Sequence, residues 1–148
     1  MSDQGSVDPF LFRAAPAIFR VAGLTNIVGV LLFSLALTNE RLIELSPIVF
    51  SRFGLVSIML WGAAYFAVSG SYRSVPGIVA VFAVEKLVYV VTWAVWLRLH
   101  GAVLPALLSE SPLTGVFYAV YGAIDLVFGV FFAMAFWCSK RTQALWPN

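Results

Sequence analysis

The chain of 148 residues is 61% hydrophobic and only 11% charged, with a mean hydropathy of +0.95. A soluble domain of this size leaves a large share of its surface in water and could not bury so much apolar side chain, so the composition indicates a protein whose solvent is lipid. The formal net charge of +2 argues against a nucleic-acid partner, and the single Cys138 excludes an intrachain disulfide and dithiol redox chemistry.

The first sixteen residues precede the first long apolar segment. They carry Asp3 and Asp8 and no basic region near the start. Because a cleavable signal peptide opens with a basic region, we expect the first apolar segment to be retained. Asp8 followed by Pro9 is typical of a helix start. We therefore predict for residues 1–16 either a short helix lying in the membrane interface or an irregular arm.

Four apolar segments follow, and each is long enough to cross a bilayer, which takes about 20 mostly apolar residues. We predict an all-α integral membrane protein, a bundle of four transmembrane helices with short loops that forms one domain over residues 17–137. The predicted spans are residues 17–37, 47–69, 76–97 and 112–137. A serine lies within two residues before Pro47, Pro76 and Pro112, a combination typical of the first turn of a helix.

The connection after the third segment is itself apolar. Residues 101–108 are too few to cross the membrane, so we expect them to dip into the interface or to pack over the end of the bundle. His100 begins this connection. A lone histidine at the end of a span is more typical of an interfacial residue than of a proton relay.

Four spans would place both termini on the same side of the membrane. The positive-inside rule then favours a cytoplasmic N-terminus and a cytoplasmic tail at residues 138–148. The lack of eukaryotic targeting signals suggests a bacterial inner membrane. The side of the termini would hold Arg13, Arg20, Arg73, Lys140 and Arg141, and the other side Arg41, Arg52 and Arg98.

The strongly polar residues within the spans fall in one layer. Glu85 and Lys86 lie roughly 13 to 15 Å along the third span, Asp125 lies roughly 20 Å along the fourth, and Asn26 reaches a similar depth in the first. Charges at this depth cost about 2.5 kcal/mol or more and usually face the protein interior. Neighbouring residues on a helix point about 100° apart, so Glu85 and Lys86 cannot face the same partner. We predict that Lys86 pairs with Asp125 and that Glu85 faces a cavity.

Aromatic residues at helical spacing supply the walls of this predicted site, with glycines on the same faces for close helix packing. The glycines are Gly23, Gly62, Gly122 and Gly129. The predicted ligand-binding residues are Asn26, Trp61, Tyr65, Glu85, Lys86, Tyr89, Trp93, Tyr118, Tyr121 and Asp125.

Several functions fit this pattern. A buried ionic network can simply fix helix register. The function we favour is binding of a small lipophilic or amphiphilic ligand, such as a quinone, a sterol-like compound or an amphiphilic cation. The alternative is an accessory subunit of a larger membrane complex, or a homo-oligomer, whose polar faces should then point outward.

A third interpretation is a proton-coupled transporter or a membrane-embedded acid/base enzyme that uses Glu85 and Asp125. The sequence shows no metal-ligand cluster, nucleophile motif or phosphate loop, so an enzyme is disfavoured and no catalytic residue, metal or cofactor is assigned. In span count and buried carboxylates the chain resembles families of small four-helix membrane proteins, including DoxX-like proteins and the sterol-isomerase-like ligand binders. That resemblance implies the bundle alone, because no motif aligns residue by residue.

Overall fold

A computed structural model of the chain describes residues 9–145 and the side chains of residues 13–142. The described part is helical, with no strand. Its helices are α1 (Pro9–Phe33), α2 (Glu40–Glu44), α3 (Arg52–Val68), α4 (Pro76–His100), α5 (Leu104–Glu110) and α6 (Pro112–Leu145), with a 3-10 turn at Gly101–Val103. Of the predicted N-terminal arm or interfacial helix, residues 1–8 lie outside the described residues, and from Pro9 onward the chain already belongs to α1.

Three helical stretches of the described chain are long and apolar enough to cross a membrane: Arg13–Phe33, Pro76–Glu110 and Pro112–Thr142. Helix α3 is apolar but has only 17 residues, or about 26 Å at 1.5 Å per residue. The chain is therefore an all-helical protein whose long apolar helices indicate an integral membrane location. The predicted span at residues 47–69 is only partly helical, because residues 47–51 form turns before α3 begins.

The first predicted span ends earlier than hydropathy suggests. Helix α1 stops at Phe33 rather than at residue 37, because Leu35, Ala36 and Leu37 have φ angles of 50°, 53° and 72°. This left-handed backbone cannot continue a right-handed helix. Asn39 stabilises the turn by donating from Nδ2 to the Phe33 carbonyl at 2.9 Å.

The other predicted helix starts are correct in two cases out of three. Helices α4 and α6 begin at Pro76 and Pro112 as predicted, whereas the helix expected at Pro47 begins at Arg52. There Ser51 is the N-cap, accepting the Gly54 N–H at 3.1 Å. Helix α6 continues to Leu145, so the described part of the predicted tail extends this helix.

The four longer helices form two closely packed antiparallel pairs, α1 with α3 and α4 with α6. Gly23 and Gly62 lie at the first contact, where a Cβ on Gly62 would come within 2.8 Å of the Gly23 carbonyl oxygen. At the second contact, a Cβ on Gly122 would lie 2.2 Å from the Trp93 ring. These glycines therefore permit the close approach that their positions predict.

Two aromatic clusters fill the bundle, one near each end. The first is centred on Phe19, Tyr65, Phe82 and Phe132, and the second on Phe50, Trp96, Phe117, Tyr118 and Tyr121. Helices α2 and α5 cover the second cluster through their buried Leu42 and Leu107. The apolar connection after α4 thus packs over the end of the bundle, which is one of its two predicted placements. The buried polar residues Asn26, Glu85 and Lys86 lie between the clusters.

Candidate functional site

The site is built around the adjacent Glu85 and Lys86 of α4, which are 7% and 1% exposed. Lys86 Nζ lies 2.5 Å from Asp125 Oδ1 on α6 and 3.0 Å from Asn26 Oδ1 on α1. The predicted pair of Lys86 with Asp125 is therefore present. Asn26 also donates from Nδ2 to the Ile58 carbonyl of α3 at 3.2 Å, so its amide links three helices.

Glu85 points toward a different neighbour, as the 100° step between adjacent helix positions requires. Its Oε2 accepts a hydrogen bond from the hydroxyl of Tyr65 on α3, a residue that is fully buried. Its Oε1 lies 3.9 Å from Lys86 Nζ and has no hydrogen-bond partner among the described residues. Tyr65 thus holds one oxygen of Glu85, whereas the other oxygen has only the longer ionic contact with Lys86.

Together these contacts join all four longer helices through two neighbouring side chains. Lys86 reaches α1 and α6, and Glu85 reaches α3. The Lys86 ammonium also lies 5.4 Å from the centre of the Tyr65 ring, within cation–π range. The network accordingly sets the relative positions of the helices, as buried polar groups can do.

A cavity of about 70 Å³ lies next to this network, between α1 and α6. Glu85, Lys86 and Asp125 line it on the polar side, and Thr25, Val120 and Ile124 are among the partly or largely exposed residues at its rim. Tyr121 also lines it, and the buried Tyr121 hydroxyl has no hydrogen-bond partner in the described part of the chain. The cavity therefore borders two side chains that carry buried, unpaired oxygens.

The predicted site residues divide into two groups. Those that line the cavity are Asn26, Glu85, Lys86, Tyr89, Tyr121 and Asp125. The other four lie around it.

These four make structural contacts. Trp61 packs edge-on against Phe82, and Tyr65 binds Glu85. Trp93 donates its ring N–H to the Tyr118 carbonyl at 2.8 Å, and the Tyr118 hydroxyl donates to the Leu42 carbonyl at 2.9 Å. They hold the helices and the covering segment in place, since each is engaged elsewhere.

Phe50 is a lining residue that the sequence pattern does not reveal. It lies in the irregular segment before α3 and packs edge-on against Tyr121, with ring centres 5.1 Å apart. Phe117 completes this apolar end of the cavity. No sequence signal marks Phe50, because one aromatic residue in an apolar segment has no distinguishing spacing.

A second hollow of about 270 Å³ lies on the outer side of α4 and α6. Its lining is apolar apart from Asp125, which also borders the inner cavity. The Asp125 side chain is 14% exposed, against 1% for its partner Lys86. Asp125 is thus the member of the network that lies closest to the lipid-facing surface.

Comparison of the chain with protein-family models, with curated proteins and with solved structures finds no match. The functional argument therefore depends on the geometry of the site.

Proposed function

We propose that this protein binds the polar head of a small lipophilic or amphiphilic molecule in the cavity between α1 and α6. The observation that carries the proposal is that two buried oxygens on side chains lining this cavity, Glu85 Oε1 and Tyr121 Oη, have no hydrogen-bond partner among the described residues. A buried polar group without a partner costs about 1–3 kcal/mol, and folded proteins keep few of them. A ligand head that carries hydrogen-bond donors would satisfy oxygens of this kind.

The size of the cavity narrows the class of ligand. The cavity volume is about 70 Å³, whereas one molecule in liquid water occupies roughly 30 Å³. Pockets that enclose drug-sized ligands usually measure about 300–1,000 Å³. A quinone ring or a sterol nucleus, both among the predicted candidates, fits this volume less well than a small head group does. The volume supports a ligand with a small head inside the cavity and an apolar chain that leaves past Ile124.

The burial of the charged residues favours this function over an accessory subunit. A subunit that used the polar layer to bind a partner helix would present that layer outward. Asn26, Glu85 and Lys86 are at most 7% exposed. Lys86 also binds both Asn26 and Asp125, which fits a structural role for these three residues and leaves Glu85 and Tyr121 for the ligand.

We also propose that α3 acts as a fourth span, in a bacterial inner membrane with both termini cytoplasmic. Its 17 residues are at the short end of the range of about 17–25 for spanning helices. Helix α3 packs antiparallel against α1, which is long enough to cross the membrane. The excess of basic residues on the side of the termini also supports this orientation.

Native mass spectrometry of protein extracted gently from its own membranes tests the binding function. We expect a recurrent lipophilic adduct on the wild type that is lost in Ile124→Trp, because the larger ring fills the rim of the cavity. The control is Val95→Trp, at a 51% exposed position that lines neither cavity, and it should keep the adduct. If the adduct persists in Ile124→Trp, or the wild type carries none, the proposed function is wrong.

A further inference from the structure

We propose that the head group bound in this cavity is an unsubstituted ammonium, so that the ligand is a single-chain primary amine. This inference rests on the proposed function and adds the charge and the size of the head. It is carried by the charge balance of the network, by the unpaired Glu85 oxygen and by the cavity volume.

The network contains two carboxyl groups and only one amine. Glu85 and Asp125 lie within 3.9 Å and 2.5 Å of Lys86 Nζ, and the described residues place no second basic side chain along the cavity. With all three groups ionised, the network carries one net negative charge. An uncompensated charge away from water is costly, so a cation beside the carboxylates would stabilise the folded protein.

The place for this cation is beside Glu85 rather than beside Asp125. Asp125 already accepts from Lys86, and the other Glu85 oxygen accepts from Tyr65. Among the described residues, Glu85 Oε1 is the fully buried carboxyl oxygen that has no hydrogen-bond donor. An ammonium has three donors, which suits this oxygen and the Tyr121 hydroxyl together.

The remaining walls suit an organic cation. The rings of Tyr89, Phe117 and Tyr121 line the cavity, and aromatic faces attract cations in a dry site. A metal ion would need more oxygen ligands, about six to eight for calcium. The described residues contain no group of three or more His, Cys, Asp or Glu side chains placed to hold a metal ion. A volume of 70 Å³ suits a bare ammonium better than a bulky quaternary head.

The test measures binding of radiolabelled dodecylamine to the protein in nanodiscs of zwitterionic lipid at pH 7, with the signal of empty nanodiscs subtracted. At this pH a primary amine is charged, as lysine is. Unlabelled dodecanol and dodecyltrimethylammonium compete with the amine in separate titrations. Both have the same chain length as dodecylamine, but dodecanol is uncharged and dodecyltrimethylammonium has a larger head. The variants are Glu85→Gln and the control Glu44→Gln, whose carboxylate is 66% exposed.

We expect the amine to bind about 10- to 100-fold more tightly than the alcohol, which is the range for a hydrogen bond to a charged group. Glu85→Gln should remove this preference while dodecanol still binds, which shows that the variant is folded, and Glu44→Gln should keep the preference. The quaternary competitor should bind more weakly than the amine.

Equal binding of amine and alcohol to the wild type would overturn the ammonium assignment and leave the proposed function standing, because Glu85 would then bind as a protonated acid. Equal binding of the amine and the quaternary cation would also overturn it, since the head would lie outside the cavity. If none of the three binds above empty nanodiscs, the ammonium assignment fails, and an adduct in the mass spectrometry experiment would decide separately whether the proposed function survives.

Discussion

Replacing Lys86 with methionine should destabilise the protein more than any other single change in the polar layer. Met preserves most of the side-chain volume and removes the amine. Asp125 then loses the partner at 2.5 Å and Asn26 loses its donor at 3.0 Å. Two carboxyl groups would remain in the layer with no cation between them.

The magnitude follows from the burial of the pair. Lys86 is 1% exposed, and removing one partner of a buried ion pair costs about 3–5 kcal/mol. This corresponds to a loss of about two to four orders of magnitude in the folded-to-unfolded ratio, at one order per 1.36 kcal/mol. An average hydrogen bond between membrane helices contributes about 0.6 kcal/mol. The measured loss therefore distinguishes a broken buried ion pair from a single lost hydrogen bond.

The assay is reversible unfolding in mixed micelles, followed by circular dichroism as the fraction of denaturing detergent rises. The double variant Lys86→Met, Asp125→Leu should recover most of the lost stability, because a buried pair replaced by apolar side chains is often neutral or stabilising. The control Arg52→Met breaks the exposed pair with Glu40 and should cost at most about 1 kcal/mol. A loss below about 1 kcal/mol in Lys86→Met, or simple additivity in the double variant, would refute this reasoning.

Further stability predictions use the same detergent unfolding assay. Gly122→Ala places a Cβ 2.2 Å from the Trp93 ring and should cost about 1–3 kcal/mol. The control Gly77→Ala meets nothing within 4 Å and should stabilise the protein by about 0.4–1 kcal/mol. Equal effects of the two variants would contradict the packing of α4 on α6. Tyr65→Phe leaves the buried Glu85 Oε2 without its donor. Because a buried acceptor is left unsatisfied, this change should cost about 1–3 kcal/mol, more than an average hydrogen bond between helices. An unchanged stability would mean that this contact is not formed.

The polar layer could be predicted from sequence because its members have few alternatives. A lysine in the middle of an apolar helix needs an acceptor, and Asp125 and Asn26 are the strongly polar residues at its depth in other helices. The starts of α4 and α6 were predictable for a similar reason, since proline is suited to the first turn and disfavoured further inside a helix.

Other features could not be predicted because they depend on backbone conformation or helix rotation. Leu35, Ala36 and Leu37 are apolar residues in a left-handed turn, so hydropathy extends α1 past its end. The binding of Tyr65 to Glu85 depends on how far α3 is rotated about its axis, which spacing within one helix does not fix. Phe50 reaches the cavity from an irregular segment, where helical periodicity gives no information.

A crystal structure of the protein purified from its own membranes in an uncharged detergent tests the central claim most directly. The account predicts electron density in the cavity between α1 and α6, with a polar head within hydrogen-bond distance of Glu85 Oε1 and the Tyr121 hydroxyl and a chain that leaves past Ile124. Density for water alone in the cavity, with no chain at the rim, would contradict the account and leave the network a purely structural role.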